Sequence, residues 1–423
     1  MSGSPITTLA PTLTARTINL HLPADFDLMG SLPPSATVFT RGGEGLVGLG
    51  IATVLSASGP NRMADLASQW RELCEQATQQ DPTPGPGRGL VGFGSIAFSA
   101  QSAQPSILVV PKLLLGVRDG RAWLTAISDS GLPAGEPALS PDWKTPSTDA
   151  RPGALRPGQF SSADFVAAVK QAVEQIHAGK LEKVVLARDL VAELPEDFDL
   201  RPILQKLSVE YPSCWTYQVG GQFGASPELL VRVSHSQVSA RVLAGTAGRG
   251  TDPGVDRAIA AALAGSHKNT EEHKFAVASL VDALRPYCSE INADAEPFSL
   301  ALPNVWHLAS DVTGILKAQA SVLDLAQALH PTAAVAGTPT AAAISNIEQL
   351  EPFDRGGYAG PVGWIDSQGE GEWAIALRGG RIDNDELRAF AGCGIVAESD
   401  PAAELAETEL KFQPIRSALA SLG

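Results

Sequence analysis

A chain of 423 residues is long enough to bury a large core, and its apolar content of 44% argues against disorder. The formal net charge of −15 argues against a protein that binds nucleic acid or an anionic membrane. Four scattered cysteines without a CxxC pair indicate a reducing compartment, so a cytoplasmic protein is expected. No signal peptide and no membrane-spanning apolar run are recognised.

The first part of the chain is predicted to contain short strands around one helix. Residues 1–25 are interpreted as a leader arm or a first strand, and alternating apolar residues over 35–55 predict hairpin strands. Apolar spacing predicts a helix over Met63–Gln79. Further strands are expected over 89–98, 106–115 and 122–127.

A stretch rich in Pro, Gly and Ser separates the two parts of the chain. Residues 128–160 are rich in these three residue types and form the best candidate for a linker or a long loop. We therefore expect residues 1–160 to form an N-terminal α+β region of the same fold as a catalytic region over 161–423.

The second part predicts helices interspersed among many strands. A capping box, Ser161 to Asp164, opens a helix that Gly179 closes, and its apolar face carries Phe165, Val169, Val173 and Ile176. Further helices are expected over 270–287 and 322–329. Strands are predicted over 183–188, 215–219, 229–233, 239–243, 362–365, 373–382 and 387–395. Many antiparallel strands with interspersed helices favour an α+β fold of large antiparallel sheets over a doubly wound sheet.

The segment Ala391–Lys411, AGCGIVAESDPAAELAETELK, combines a glycine turn, a short strand and a helix start. Ser399 or Asp400 is predicted to cap the helix, with Pro401 at its first position. Glu404, Glu407 and Lys411 then share one helical face. Two carboxylates beside an ammonium suit a hard cation next to an anionic ligand. The alternative is a solvated face with ordinary salt pairs.

Several motifs occur in an order that is typical of one family. They are KVVLAR, FGASPELLVR, LAGTAGRG, NTEEHKFAV, VWHLASDVTG, LHPTAAVAGTPT, EPFDRGGYAGPVGWID, WAIALRGGRI and the C-terminal segment. Over roughly residues 160–415 this set resembles the chorismate-utilising enzymes, which include isochorismate synthase, salicylate synthase, anthranilate synthase component I and aminodeoxychorismate synthase. The resemblance implies the fold of anthranilate synthase component I, the small-molecule substrate chorismate and the cofactor Mg²⁺.

The resemblance also implies a role for individual residues. Lys183 matches the general base and Glu228 the general acid. Glu272 and Glu407 match the magnesium ligands, and Glu404 is a nearby helper. The residues that match contacts to the substrate are Gly245, Thr246, His330, Tyr358, Arg378, Gly392 and Lys411.

The chemistry of forming isochorismate is consistent with these residue types. Water must add at C2 while the C4 hydroxyl leaves, so the site needs a base near C2 and an acid near C4. Lys183 must therefore be neutral and Glu228 protonated, and burial favours both forms. Simpler interpretations stay open: a surface lysine, a bend carboxylate, a structural His330 and a core Tyr358. His273 and His307 are expected to be structural.

The choice among family members depends on a few positions. Amine-forming members carry glutamine where Lys183 stands, and aminodeoxychorismate synthases carry lysine where Ala244 stands. No LLES-type N-terminal motif, which anthranilate synthases use to bind tryptophan, is found. Members of the family that use water commonly act without a glutaminase partner, so none is expected. We therefore expect an isochorismate synthase of menaquinone or siderophore biosynthesis. Salicylate synthase and a catalytically silent chorismate-binding protein remain alternatives. Cys393 is interpreted as a small buried thiol that could make the site sensitive to alkylation.

Overall fold

The structure is a computed structural model that describes residues 12–23, 26–131, 151–301 and 305–422. Its helices are α1 (Arg62–Gln76), α2 (Ser162–His177), α3 (Arg201–Glu210), α4 (Pro253–Ala264), α5 (His267–Leu284), α6 (Val322–Leu329), α7 (Thr340–Leu350) and α8 (Pro401–Ala420). In the N-terminal part the strands are β1 (Thr14–Leu20), β2 (Thr37–Arg41), β3 (Glu44–Leu49), β4 (Thr53–Ala57), β5 (Thr78–Gln80), β6 (Val91–Ser95), β7 (Ser106–Val110), β8 (Leu113–Arg118) and β9 (Arg121–Ser128).

The remaining strands follow the predicted linker, of which residues 132–150 lie outside the described part of the chain. They are β10 (Arg156–Pro157), β11 (Lys183–Glu193), β12 (Trp215–Val219), β13 (Gln222–Ser226), β14 (Leu229–Ser234), β15 (Gln237–Gly248), β16 (Cys288–Ala293), β17 (Phe298–Ala301), β18 (Val305–Leu316), β19 (Gly337–Thr338), β20 (Pro361–Asp366), β21 (Gly371–Ile375), β22 (Gly379–Asp383) and β23 (Glu386–Ile395).

Two large sheets organise these strands. Within the described residues, the first sheet has the order β10-β11-β23-β22-β13-β12-β2-β3-β8-β9-β1-β5, with β19 also paired to β11. The second has the order β16-β18-β15-β14-β21-β20-β6-β7-β4, with β17 also paired to β18. The pairings are antiparallel apart from the short parallel contact of β5 with β1. The predicted α+β class with large antiparallel sheets is therefore confirmed.

Both sheets join strands from the N-terminal part of the chain to strands that follow the predicted linker. In the first sheet β2 pairs with β12, and in the second β6 pairs with β20. These pairings cross the predicted boundary near residue 160, so the N-terminal strands share sheets with the strands of the catalytic region. No helix in the described ranges is long and apolar enough to cross a membrane.

Several predicted elements need correction. The helix predicted over Met63–Gln79 ends at Gln76, because the next residues form β5 and pair with β1. The single strand predicted over 373–382 is two strands, since a bend at 376–378 separates β21 from β22. Asp400 is the N-cap of α8, and its side chain accepts hydrogen bonds from the amides of Ala402 and Ala403. Helices α3, α4 and α7 were not predicted.

The helix α2 shows how the apolar pattern builds the core. As predicted, Ser161 caps it by accepting a hydrogen bond from the amide of Asp164 at 3.1 Å. Its predicted apolar face packs in the main hydrophobic core, where α2 lies against α8 and β11. Phe165 is fully buried and meets Phe160 edge to face, with 5.8 Å between the ring centroids.

We expect Phe165→Ala to lower the free energy of unfolding by about 3–5 kcal/mol, because the truncation leaves a cavity that the core fills only partly. Urea unfolding followed by circular dichroism measures this loss. Lys170→Ala is the matched control, since Lys170 is exposed on the same helix and its truncation should leave the midpoint nearly unchanged. Equal midpoints for the two variants would contradict the packing assigned to α2.

Candidate active site

The site is built where the chain passes from one sheet to the other. Strand β13 of the first sheet ends at Ser226, Pro227 removes a backbone donor, and β14 of the second sheet begins at Leu229. Glu228 therefore lies in the crossing itself. Its amide donates to Ser226 Oγ at 3.2 Å, and its carbonyl accepts the amide of Ile375 at 3.0 Å.

The chain returns to the first sheet at a second crossing beside the first. Arg378 lies in the bend between β21 and β22. Its φ is +51°, a backbone conformation that residues other than glycine rarely adopt. Its carbonyl accepts the amide of Ala225 at 3.3 Å. Ser226 Oγ donates to the carbonyl of Ile375 at 2.5 Å. The two crossings are thus held together, which brings Glu228 and Arg378 into one neighbourhood.

Lys183 reaches the same region from the start of β11. Strands β11 and β23 pair over ten residues of each strand, from Val184 opposite Ile395 to Glu193 opposite Glu386. A Cβ atom on Gly394 would lie 2.8 Å from Lys183 Cε and 3.5 Å from Nζ. The end of the lysine side chain therefore lies directly over the Gly394 backbone, and a side chain at this position would displace it.

Glu228 is surrounded by positive charge and is also desolvated. Burial raises the pKa of its carboxyl, and the charges of Arg378, Lys183 and Lys411 lower it, in that order of effect among the cations. Burial dominates, so the pKa of Glu228 lies above its ordinary value. Glu228 therefore takes up a proton more readily than an exposed glutamate, although basic side chains that could hold an anion lie nearby.

Tyr358 and Gly392 form a wall of the same region. Tyr358 is buried and stacks on Phe390 with 5.0 Å between the ring centroids. A Cβ atom on Gly392 would lie 3.2 Å from the Tyr358 hydroxyl. Burial raises the pKa of Tyr358 to about 12, against the lowering effects of Arg355 and Arg378, so the phenol stays protonated and can donate a hydrogen bond.

Lys411 connects the helix α8 to this wall. Its Nζ donates to the carbonyl of Gly392 at 2.7 Å and lies 2.6 Å from Glu407 Oε1. The predicted shared face of α8 is therefore present. Lys411 is oriented by a backbone acceptor as well as by its ion pair, which a solvated salt pair alone does not require.

Glu404 has a free oxygen that suits a cation. Its Oε1 accepts a hydrogen bond from Ser399 Oγ at 2.6 Å, whereas its Oε2 is buried without a hydrogen-bond partner. A buried carboxylate oxygen without a donor is costly unless a cation meets it, and Mg²⁺ prefers such oxygens. Among the described residues, no three His, Cys, Asp or Glu side chains form a metal-binding group. The side chain of Glu272, on α5, lies outside the description.

Gly245 lies at an irregularity of β15, where the pairing with β18 shifts between Leu243 and Thr246. Its φ is +82°, so a glycine suits the position. Thr246 pairs with His307 across the two strands, but the Thr246 side chain is not among those described. This irregularity of β15 faces the start of α5. A Cβ atom added to Gly245 would lie 3.3 Å from the Cβ atom of Asn269.

His307 is a residue of this region that the sequence interpretation left out of the site. Its ring hydrogen-bonds the backbone of Gly245, and the charge of Lys183 acts on it. Burial and, to a smaller extent, Lys183 lower the pKa of His307, against the raising effect of the hydrogen bond to Gly245. The sequence feature that could have placed His307 in the site is its position in the VWHL strand, because this strand pairs with the LAGT strand. His273, by contrast, is buried and bonded to Ser310 at 2.9 Å, as expected for a structural histidine.

His330 and Cys393 have contacts that suit structural roles. His330 Nε2 lies 3.2 Å from the carbonyl of Phe98, and burial lowers the pKa of this histidine to about 3, with further lowering from Arg62 and Arg355. Its predicted contact with a substrate stays a prediction. Cys393 is buried, its thiol contacts the carbonyl of Glu404 at 3.6 Å, and burial raises its pKa far above the ordinary value. Such a thiol is poorly reactive, so sensitivity to alkylation is no longer expected.

Comparison with known proteins identifies the family. The model of the chorismate binding enzyme family matches residues 36–420. A Mycobacterium tuberculosis protein provisionally named isochorismate synthase MenF is 42% identical over 296 residues, covering 66% of this chain and 78% of that protein. The salicylate biosynthesis isochorismate synthase of Pseudomonas aeruginosa is 32% identical over 399 residues, covering 88% and 82%.

A solved structure supports the fold. The menaquinone-specific isochorismate synthase MenF of Escherichia coli has a TM-score of 0.75 at 24% identity, covering 97% of this chain and 95% of that one. The two-sheet α+β architecture of this chain is thus shared with that solved structure. The chain belongs to the chorismate binding enzyme family, as its motifs predicted.

Because burial raises the pKa of Glu228, its ionised form is expected to destabilise the folded protein. Because the folded state binds the proton more tightly than the unfolded state, stability falls as pH rises from the unfolded pKa towards the folded one. Glu228→Gln removes this effect, so its melting temperature should exceed that of the wild type by a margin that grows as pH rises from the unfolded pKa towards the raised folded pKa.

Thermal melts followed by circular dichroism across that range measure the margin. Glu196→Gln is the control, since Glu196 is exposed and its replacement should give a nearly pH-independent difference. A Glu228→Gln margin that stays constant or shrinks with rising pH would contradict the desolvation assigned to this carboxyl.

Proposed function

We propose that the protein is a Mg²⁺-dependent isochorismate synthase, which converts chorismate to isochorismate by adding water at C2 with loss of the C4 hydroxyl. The observation that carries the proposal is the surroundings of Glu228, a carboxyl with a raised pKa that faces Lys183, Arg378 and Lys411. The fold and the family supply a substrate class, and this arrangement supplies an acid, a base and anion-binding groups in one place.

The proton movements follow from the two ends of the site. Lys183 in its neutral form takes a proton from water as the water oxygen bonds to C2. Glu228 in its protonated form gives a proton to the departing C4 oxygen, and the double bonds of the ring shift between the two carbons. One water enters and one leaves, so the product is an isomer of the substrate.

Binding of the dianionic substrate is assigned to the remaining groups. Arg378 can hold a carboxylate through two parallel hydrogen bonds, whereas Lys411 acts as a point charge fixed by the Gly392 carbonyl. The Tyr358 hydroxyl, protonated in this environment, can donate to a substrate oxygen. These groups supply local positive charge in a protein of net charge −15.

The donor set of α8 suits magnesium. Glu404, through its unpartnered Oε2, and Glu407 would hold the ion together with Glu272, water and a substrate oxygen. When bound, Mg²⁺ would neutralise charge that builds on the ring carboxylate. Ser399, which donates to the other oxygen of Glu404, orients that carboxylate in the manner of an outer-shell partner.

A product assay with chorismate and Mg²⁺ tests the proposal. Wild-type protein should give isochorismate approaching equilibrium with chorismate, resolved by liquid chromatography. Lys183→Ala and Glu228→Gln should lower kcat by about 10²–10⁴, the range typical of a lost acid or base. The control Lys170→Ala, on the exposed face of α2, should keep full activity.

Each other product pattern has a clear meaning. Salicylate with pyruvate would move the assignment to salicylate synthase and keep the roles of base and acid. Unchanged chorismate from a folded protein, with chorismate binding measured by calorimetry, would establish the silent binding protein instead.

Magnesium binding is tested apart from turnover. Glu404→Ala removes the unpartnered oxygen, so the affinity for Mg²⁺ in titration calorimetry with chorismate present should fall at least tenfold. Glu398→Ala, an exposed carboxylate preceding α8, is the control and should leave the affinity unchanged. An unchanged affinity in Glu404→Ala would remove this residue from the metal site.

A further inference from the structure

The strand that carries Lys183 has an unusual second edge. On one side β11 pairs continuously with β23. On the other side its first two residues pair with β19, and Leu190 and Val191 pair with β10. Between these contacts, the edge of residues 185–188 pairs with no strand of the described chain. The amide of Val185 is met by the carbonyl of Ala336 at 2.8 Å.

A buried ion pair takes the place of the missing strand. The amide of Ala187 donates to Glu351 Oε1 at 2.8 Å, and Arg355 Nη2 donates to the carbonyl of Val185 at 2.7 Å. One side chain therefore supplies the acceptor and the other the donor that a neighbouring backbone would supply. These two contacts lie two and four residues from Lys183.

The pair is fully enclosed and its geometry is fixed. The side chains of Arg355 and Glu351 are 3% and 1% exposed. Arg355 Nε donates to Glu351 Oε2 at 2.8 Å, and Nη2 donates to Oε1 at 2.5 Å. Arg355 Nη1 donates to the carbonyl of Val335 at 3.0 Å. The planar guanidinium thus satisfies a carboxylate and two separate backbone carbonyls at once.

The same guanidinium reaches the wall of the site. It lies over the ring of Phe98 at 4.5 Å and over the ring of Tyr358 at 5.9 Å. Tyr358 is three residues after Arg355, and its amide donates to the Arg355 carbonyl at 2.9 Å. The ion pair therefore contacts both the strand of Lys183 and the segment of Tyr358.

We propose that Glu351 and Arg355 are positioning residues, which fix the β11 backbone beside Lys183 relative to Tyr358 and so set the distance between the base and the substrate-binding wall. The proposal rests on the proposed function. A buried ion pair as such contributes little net stability compared with an apolar pair, but an apolar pair here would leave the Ala187 amide and the Val185 carbonyl without partners. Its specific bonds to the backbone of β11 give it a geometric task that an apolar pair could not perform.

Arg355→Lys and Glu351→Gln test the proposal by weakening the bonds without emptying the space. Lysine keeps the charge but loses the fork that joins the carboxylate to two carbonyls. Glutamine keeps an acceptor for the Ala187 amide and is the milder change, which guards against loss of folding. We expect kcat for isochorismate formation to fall at least tenfold in Arg355→Lys, with KM changed less than twofold.

The pH profile separates positioning from general weakening. Looser packing around β11 admits water to Lys183 and favours its charged form. The acidic limb of the kcat/KM profile should therefore move to higher pH in Arg355→Lys. Arg201→Lys is the matched control, because Arg201 is buried, bonds Asp199 through two nitrogens and donates to the carbonyl of Leu32. It should lower stability without moving the limb or kcat.

Hydrogen exchange supplies a readout that needs no turnover. The Ala187 amide should exchange faster in Glu351→Gln than in the wild type, whereas the control should leave it unchanged. If the wild-type protein shows no turnover, the proposed function is overturned. The exchange experiment still tests whether Glu351 fixes the backbone of β11. Wild-type turnover would overturn the positioning role alone if Arg355→Lys matched the control in kcat and pH profile and Glu351→Gln matched it in the exchange of the Ala187 amide.

Discussion

The site depends on the two places where the chain crosses from one sheet to the other. A chain that stayed in one sheet would place Glu228 and Arg378 in the middle of regular ladders, with their backbones paired and their side chains directed by the pleat. The paired crossings remove both residues from the ladders. Ser226 joins the crossings by donating a hydrogen bond to the carbonyl of Ile375, which holds the two segments next to each other.

The crossings also explain how an acidic protein handles an anionic ligand. The positive groups come from three separate places, β11, the bend before β22 and α8, and they meet around one desolvated carboxyl. Burial raises the pKa of Glu228 while their charges lower it, and the net effect is a pKa above the ordinary value. A net charge of −15 is therefore compatible with a locally cationic site, because the fold and not the composition determines the local field.

The sequence predicted those features that depend on local patterns or on complete motifs. The helix over 322–329 and the capped start of α2 follow from apolar spacing and capping residues, and the structure has both. The positions of Lys183, Glu228 and Arg378 came from motifs. The bend at Arg378 was missed, because a positive φ at arginine is imposed by the tertiary hydrogen bond to Ala225 and has no local signal. The Glu351–Arg355 pair was missed because the unpaired edge of β11 is visible only in the assembled sheet.

The pairing of β6 with β20 has a consequence for how the chain folds. These two strands are separated by more than half of the sequence. Strand β2 likewise pairs with β12, which comes much later in the chain. Neither N-terminal strand can complete its sheet until the later partner has been synthesised, so the first segments leave the ribosome with exposed hydrogen-bonding edges. Contacts of such high sequence separation slow folding. The architecture that brings the crossings together therefore creates an extended period in which the nascent chain is open to aggregation.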